Sequence, residues 1–352
     1  DTVLSRGLGD VYKRQKPFQQ EFLPDSSITS DGSNLGKNVH ISSDGLTAAA
    51  TAYADDNPTN NQGSVNIYQK QSDGTFAFFQ RIVASDAQSN DFFGRSVYVS
   101  DDGTYLAVGA ANEDQNGSNS GAVYIFYRAD ITSNFAQQAK LDPSDGAFND
   151  EFGTSVSLNA DATYCVGGAE GEYGTPYQGT DTGAAYVFTR SGTSWTEQAK
   201  LNASDLATFD KFGCTVDIND NATYIAVGAE GESRTNNFTS SGLGAVYIFT
   251  RSGTTWSQQT KITGTASSPV NSTGEFGSGV CFDGGANSLV VGAHFSDGSI
   301  SNCGAAYVFT RSGTTWTQQA QLIDDQVTTS TFGNWVRTVS YTHLRAHETR
   351  PY

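Results

Sequence analysis

The chain has 352 residues, is 37% hydrophobic, and carries 37 acidic against 20 basic side chains, a net charge of −17. That length accommodates one large domain or repeat array, and the acidic excess repels nucleic acid and anionic membrane surfaces, excluding both as partners. Four cysteines (Cys165, Cys214, Cys281 and Cys303) show neither close pairing nor metal-ligand spacing, so no disulfide framework is expected.

Residues 1–16 and 337–352 share no pattern with the rest and hold seven of the twenty basic residues but three of the acids. They read as translated adaptor sequence and are expected to be non-native or disordered flanks. Between them, residues 17–336 carry 13 bases and 34 acids, 13 − 34 = −21. Pro17 to Asp25 resembles the tail of a repeat whose next copies follow in order. Leu35-Gly36 opens a weak copy, and Phe-Gly opens the others at Phe93, Phe152, Phe212, Phe276 and Phe332, at spacings of 58, 59, 60, 64 and 56 residues. Each is followed by a short apolar run. The second landmark is Val-Gly-Ala or a variant, as at Val227-Gly228-Ala229. A third reads Gly244-Ala245-Val246-Tyr247-Ile248-Phe249 in the fullest copy, and an aromatic follows at Phe76, Phe135, Trp195, Trp256 or Trp316.

Each copy predicts four short strands. The first two are β-branched and aromatic, joined by a tight turn such as Asp102-Gly103. The third is an unbroken apolar run and should be buried on both faces. Near-identical turns at Arg190-Ser191-Gly192-Thr193, Arg251-Ser252-Gly253-Thr254 and Arg311-Ser312-Gly313-Thr314 lead to a fourth strand bearing the Trp. A unit this small cannot bury its apolar face alone, so copies must stack. The expected fold is all-β: a β-propeller of four-stranded antiparallel blades at about 33–84, 91–142, 150–202, 210–263 and 274–323, with partial copies at 17–25 and 330–336. Glycines such as Gly228 and Gly292 should let neighbouring backbones approach, and the Phe-Gly rings and Trp residues should fill the wedges between blades.

Catalysis has no signature here. Neither His40 nor His294 has a nucleophile or metal-ligand partner at a recognisable spacing, and no phosphate-binding or nucleophile motif appears. The pairs Asp86/Asp91, Asp145/Asp150 and Asp205/Asp210 recur in blade after blade, which argues for turn capping rather than acid–base work.

These motifs resemble the FG-GAP repeats of the integrin α-subunit propeller, in a form closer to microbial and protist relatives. The resemblance implies a seven-bladed ring, of which this chain holds a fragment, usually extracellular and binding protein or glycan on the face of its longer loops. Two departures matter. The family's Pro after Gly-Ala is replaced by Ala111, Glu170, Glu230 and His294. The family's calcium loop between strands one and two, rich in alternating Asp, is degraded here: Asp217, Asn219 and Asn221 come nearest, and Asn112 to Gly117 is a second candidate elsewhere. No cofactor and no metal ligand is therefore assigned.

Recognition is expected where the repeats differ, in the variable loops between strands two and three. The candidate ligand-binding residues are Asp55, Asp56, Glu113, Asp114, Glu170, Glu172, Tyr173, Glu230, Glu232, His294 and Asp297. Sequons at Asn116, Asn202, Asn221, Asn237 and Asn271 would permit glycosylation. The expectation is a non-catalytic recognition or adhesion propeller, extracellular or at the cell surface, without membrane insertion. The alternative is an accessory propeller of a larger secreted enzyme such as a phospholipase.

Overall fold

A run of four strands, a linker, and four strands again repeats along the computed structural model, which describes residues 33–56, 59–172, 182–233, 242–264, 274–296, 304–323, 333, 335–337 and 345–347. The first blade holds β1 (Leu35–Ile41), β2 (Thr47–Ala52), β3 (Ser64–Lys70) and β4 (Phe76–Ile82), and the second β5 (Ser96–Val99), β6 (Tyr105–Ala110), β7 (Ala122–Tyr127) and β8 (Ala136–Leu141). The third has β9 (Phe152–Leu158), β10 (Tyr164–Ala169), β11 (Ala184–Ser191) and β12 (Ser194–Leu201), and the fourth β13 (Phe212–Ile218), β14 (Tyr224–Ala229), β15 (Ala245–Ser252) and β16 (Thr255–Ile262). The fifth has β17 (Phe276–Phe282), β18 (Ser288–Ala293), β19 (Ala305–Ser312) and β20 (Thr315–Ile323). Each is an antiparallel sheet in chain order. A short ribbon follows, β21 (Trp335–Arg337) against β22 (Arg345–His347), which places four residues of the C-terminal flank, Arg337 and 345–347, in strands.

First strands of neighbouring blades lie against one another, whereas fourth strands barely meet. The first strands therefore line the axis and the blades fan outward. The third strands are buried along their apolar run, as β15 shows from Ala245 to Phe249.

Apolar burial is organised by the joints between blades. One cluster joins Val166, Val187 and Leu201 of the third blade to Phe212, Val216, Val227 and Tyr247 of the fourth. Equivalent clusters join the first to the second, the second to the third, and the fourth to the fifth. The rings of Phe93, Phe152, Phe212 and Phe276 sit in such wedges, each against two aromatics of its own third strand; for Phe212 these are Tyr247 at 5.5 Å and Phe249 at 6.0 Å, both edge-on. The Trp residues sit at the wedge rim, with Trp256 buried but Trp195 and Trp316 only partly so. Trp256 Nε1 donates to Gln198 Oε1 of the preceding blade at 3.0 Å.

Two glycines show why the landmarks are glycine. A Cβ at Gly228 would overlap the carbonyl oxygen of Gly277 in the next blade. Gly244 has φ +81, and a Cβ there would strike the backbone of Phe276. The joint is a backbone-to-backbone approach that no larger residue permits.

Arginines of the recurring turns add a second tie. Arg251 lies over the Tyr164 ring of the preceding blade at 4.8 Å and the Trp256 ring of its own at 5.9 Å, while its Nε donates to the Ala222 carbonyl at 2.6 Å. Arg190 and Arg311 repeat this over Tyr105 and Tyr224. Each is a cation–π strut across a joint.

Toward the two ends of the described blades, side chains that are buried elsewhere stand more open. Val39 is 64% exposed where its counterpart Val97 is 5%, and Leu322 is 36% exposed where Leu201 is 3%.

Candidate functional site

Four of the loop acids belong to the blades themselves. The third residue after each second strand turns inward to meet a cation on the fourth strand: Asp55 with Arg81 at 2.7 Å, Glu113 with Lys140 at 2.8 Å, Glu172 with Lys200 at 2.7 Å, and Glu232 with Lys261 at 2.8 Å. Asp55 and Glu113 are almost wholly buried. In the fifth blade Ser296 and Gln321 occupy these places and meet through the Tyr307 hydroxyl, at 3.2 and 3.1 Å. Exchange of both charged partners together marks a pair that serves packing.

The linker acids divide into two roles. Asp91, Asp150 and Asp210 each accept the backbone N–H three residues earlier, at 2.7, 2.7 and 2.8 Å, as turn caps do. Burial pushes all three carboxyls up to about 6. Asp86, Asp145 and Asp205 instead accept from a tyrosine and a lysine of the blade that follows, as Asp205 does from Tyr247 at 2.9 Å and Lys261 at 2.7 Å. Burial pushes Asp86 and Asp145 up, but the lysine and tyrosine hydrogen bonds outweigh it and hold them low; at Asp205 the Lys261 bond leads.

The loops compared with calcium motifs are closed on themselves. Asp217 Oδ1 accepts from Ser157 at 2.9 Å and Oδ2 from the Phe282 N–H at 2.7 Å, tying three first strands together. Asn219 Oδ1 accepts from the Tyr224 N–H, and its Nδ2 donates to Asn221 Oδ1. In the second candidate, Asp114 accepts from the Asn119 N–H at 2.7 Å and Glu113 is committed to Lys140. Asp56 likewise caps the Asn61 N–H at 2.8 Å.

The remaining candidates meet at one pole, where second strands end and first strands begin. Glu170 lies 3.9 Å from Arg95 of the second blade and 3.8 Å from Lys211, which precedes Phe212. Lys211 lies 3.5 Å from Glu230. Glu230 in turn shares a cluster with Glu275 and His294, whose ligand-forming atoms all lie within 4.8 Å of one another. A line of alternating charge thus runs from Arg95 to Glu230 across blades two to four and ends on Glu275 and His294 of the fifth. His294 Nε2 is 3.3 Å from Glu275 Oε2. Burial, helped by the Lys211 charge, pushes the imidazole down to about 4, so it is neutral near pH 7. Tyr173 and Asp297 lie outside the described residues.

Local backbone aims two of these groups. The residue before each Phe-Gly is left-handed: Phe92, Glu151, Lys211 (φ 54) and Glu275 (φ 47). Glycine would serve there at lower cost, by about 1 kcal/mol or more, yet three different side-chain types stand at one repeated position. Sequence reasoning passed over Arg95, Lys211 and Glu275 because each looks like an ordinary residue flanking a landmark. For Lys211 and Glu275 the signal is variation at a position whose backbone is invariant; Arg95, just after its Phe-Gly, carries no such signal.

A family model for the FG-GAP repeat matches residues 76–126, 135–188, 195–249 and 256–309. Each match runs from the fourth strand of one blade through the third strand of the next, so every match spans one wedge. No curated protein matches the sequence. Among solved structures, the chain is similar to a putative 6-phosphogluconolactonase from Bacteroides uniformis, with TM-score 0.52 and 11% identity over 88% of this chain and 89% of that one. It is also similar to a putative 6-phosphogluconolactonase from Bacteroides fragilis, with TM-score 0.51 and 13% identity over 81% and 70%. At such identities the likeness shows the fold alone. The repeated match, over landmarks that form every joint between blades, makes this chain a member of the FG-GAP repeat family.

Proposed function

We propose that the chain is a non-catalytic recognition propeller of the cell exterior or cell surface that takes a protein or glycan on the pole described above. The observation that carries this reading is the position after each second strand. Tyr53, Ala111, Glu170, Glu230 and His294 give four residue types in five blades, while the residue two places further on is an acid paired with a fourth-strand cation in four of the five. Variation on a rigid scaffold is where recognition is built. Three exposed apolar side chains support the same pole: Phe148 on a linker, Leu243 on a strand 2–3 loop, and Phe295, whose ring lies tilted against His294 at 4.2 Å. Alternating charge with apolar neighbours suits a polar, partly aromatic contact surface.

The test is a glycan array and a pull-down against extracellular proteins, with the chain and with a variant whose strand 2–3 loops are short Gly-Ser turns. Binding by the chain that the variant loses is the expected outcome. Binding that survives the replacement contradicts the reading.

A further inference from the structure

We propose that Glu230, Glu275 and His294 form a three-ligand site for a divalent ion of the zinc class. The donors come from three separate places: the residue after β14, the residue before β17 and the residue after β18. Zinc bonds carboxylate oxygen and imidazole nitrogen at about 2.0–2.2 Å, which gives a tetrahedral edge of about 3.4 Å. His294 Nε2 and Glu275 Oε2 already stand 3.3 Å apart, on side chains 15% and 9% exposed. Closing the set around an ion requires Glu230 to move little, because its oxygen lies within 4.8 Å of both. One nitrogen and two carboxylates suit a zinc-class ion; calcium would require six to eight oxygens.

His294 Nε2 faces Glu275 while Nδ1 is buried with no hydrogen-bond partner, so an ion would engage the ring through Nε2. Glu275 shares its left-handed backbone with Phe92, Glu151 and Lys211, so that conformation belongs to the repeat and can be relieved by glycine without touching the other ligands. Lys211 is the resident competitor, 3.5 Å from Glu230, and Glu170 at 3.8 Å offers it an alternative partner. Three protein ligands leave a fourth position for water or an oxygen of a docked molecule. The inference goes beyond the recognition reading and stands independently of it.

Zinc, calcium and magnesium chlorides are titrated separately into the full chain carrying H343Q and H347Q, which removes the imidazoles of the C-terminal flank. Binding is followed by calorimetry and by competition with a zinc-chelating dye. The expected result is one zinc per chain and no calcium or magnesium heat. E230Q and H294Q should weaken zinc binding about tenfold or more, and K211M should tighten it by removing the competing cation. E275G separates ligand from scaffold: it relieves the left-handed strain, so its melting temperature stays level or rises, while zinc binding falls. A chain that binds no zinc overturns the proposal. So does zinc binding unchanged in E230Q and H294Q, weaker binding in K211M, or preferential binding of calcium.

Discussion

Lys140, Lys200 and Lys261 each hold a buried or half-buried glutamate and a linker aspartate at once. Removing one partner of such a pair strands a charge, whereas removing both need not. Lys140→Gln should therefore cost about 3 kcal/mol or more, because it leaves Glu113 only 3% exposed without its cation. Adding Glu113→Ser recreates the arrangement of the fifth blade, Ser296 with Gln321, and should recover half of that loss or more. Thermal melting of the wild type, the single variant and the double variant checks this; a double variant less stable than the single one would refute it. The lysine was visible in sequence as a recurring letter, but its partners lie one hairpin and one linker away. Nothing in the local pattern joins them. The strut arginines were likewise hidden inside what read as simple turns, although no turn type demands Arg at that place.

At the scale of elements, strands and linkers were legible to different depths. The strands follow from the apolar runs and the turn dipeptides, and close approach at Gly228 was readable because glycine recurs where side chains should be large. In the linkers, capping was readable for Asp91, Asp150 and Asp210, whose partners are three residues away. The bonds of Asp86, Asp145 and Asp205 were not, since tyrosine and lysine reach them from a strand pair further on. The two sets act oppositely on stability. Asp91, Asp150 and Asp210 have folded carboxyls raised to about 6, so the native chain binds protons that the unfolded chain releases above about pH 4. Their contribution is full below the ordinary carboxylate range and is lost as pH rises through 6. Asp86, Asp145 and Asp205 are held low, so their contribution is present at neutral pH and is lost as pH falls below the ordinary carboxylate range. The melting temperature should therefore rise on acidification from pH 7.5 to about 5 and fall below about 4. Asp150→Asn keeps the cap oxygen without the charge and should stabilise the chain at pH 7.5 by about 1–2 kcal/mol, with little effect near pH 4.5. A melting temperature that falls steadily from pH 7.5 to 5 would contradict this assignment.

The whole molecule is a stack whose stability resides in its joints, each an apolar wedge closed by glycine contact and fastened by an arginine strut. Stability of such an array is a sum over neighbours, which leaves the ends of the strands free to vary. The pole uses that freedom. Its members were legible only in part: Glu170, Glu230 and His294 stood out because they replace a family residue, while Arg95, Lys211 and Glu275 are brought to them by the fanning of blades that no local motif encodes. The central claim is that the repeat carries the fold and the pole carries function. Thermal melting of two variants tests it most directly. One combines Glu170→Ala, Lys211→Ala, Glu230→Ala, Glu275→Gly and His294→Ala at the pole; the other is Lys200→Gln within a blade. The account predicts that the pole variant melts at or above the wild-type temperature while the Lys200 variant melts several degrees lower. A pole variant that unfolds first would show those residues to be structural, and would contradict it.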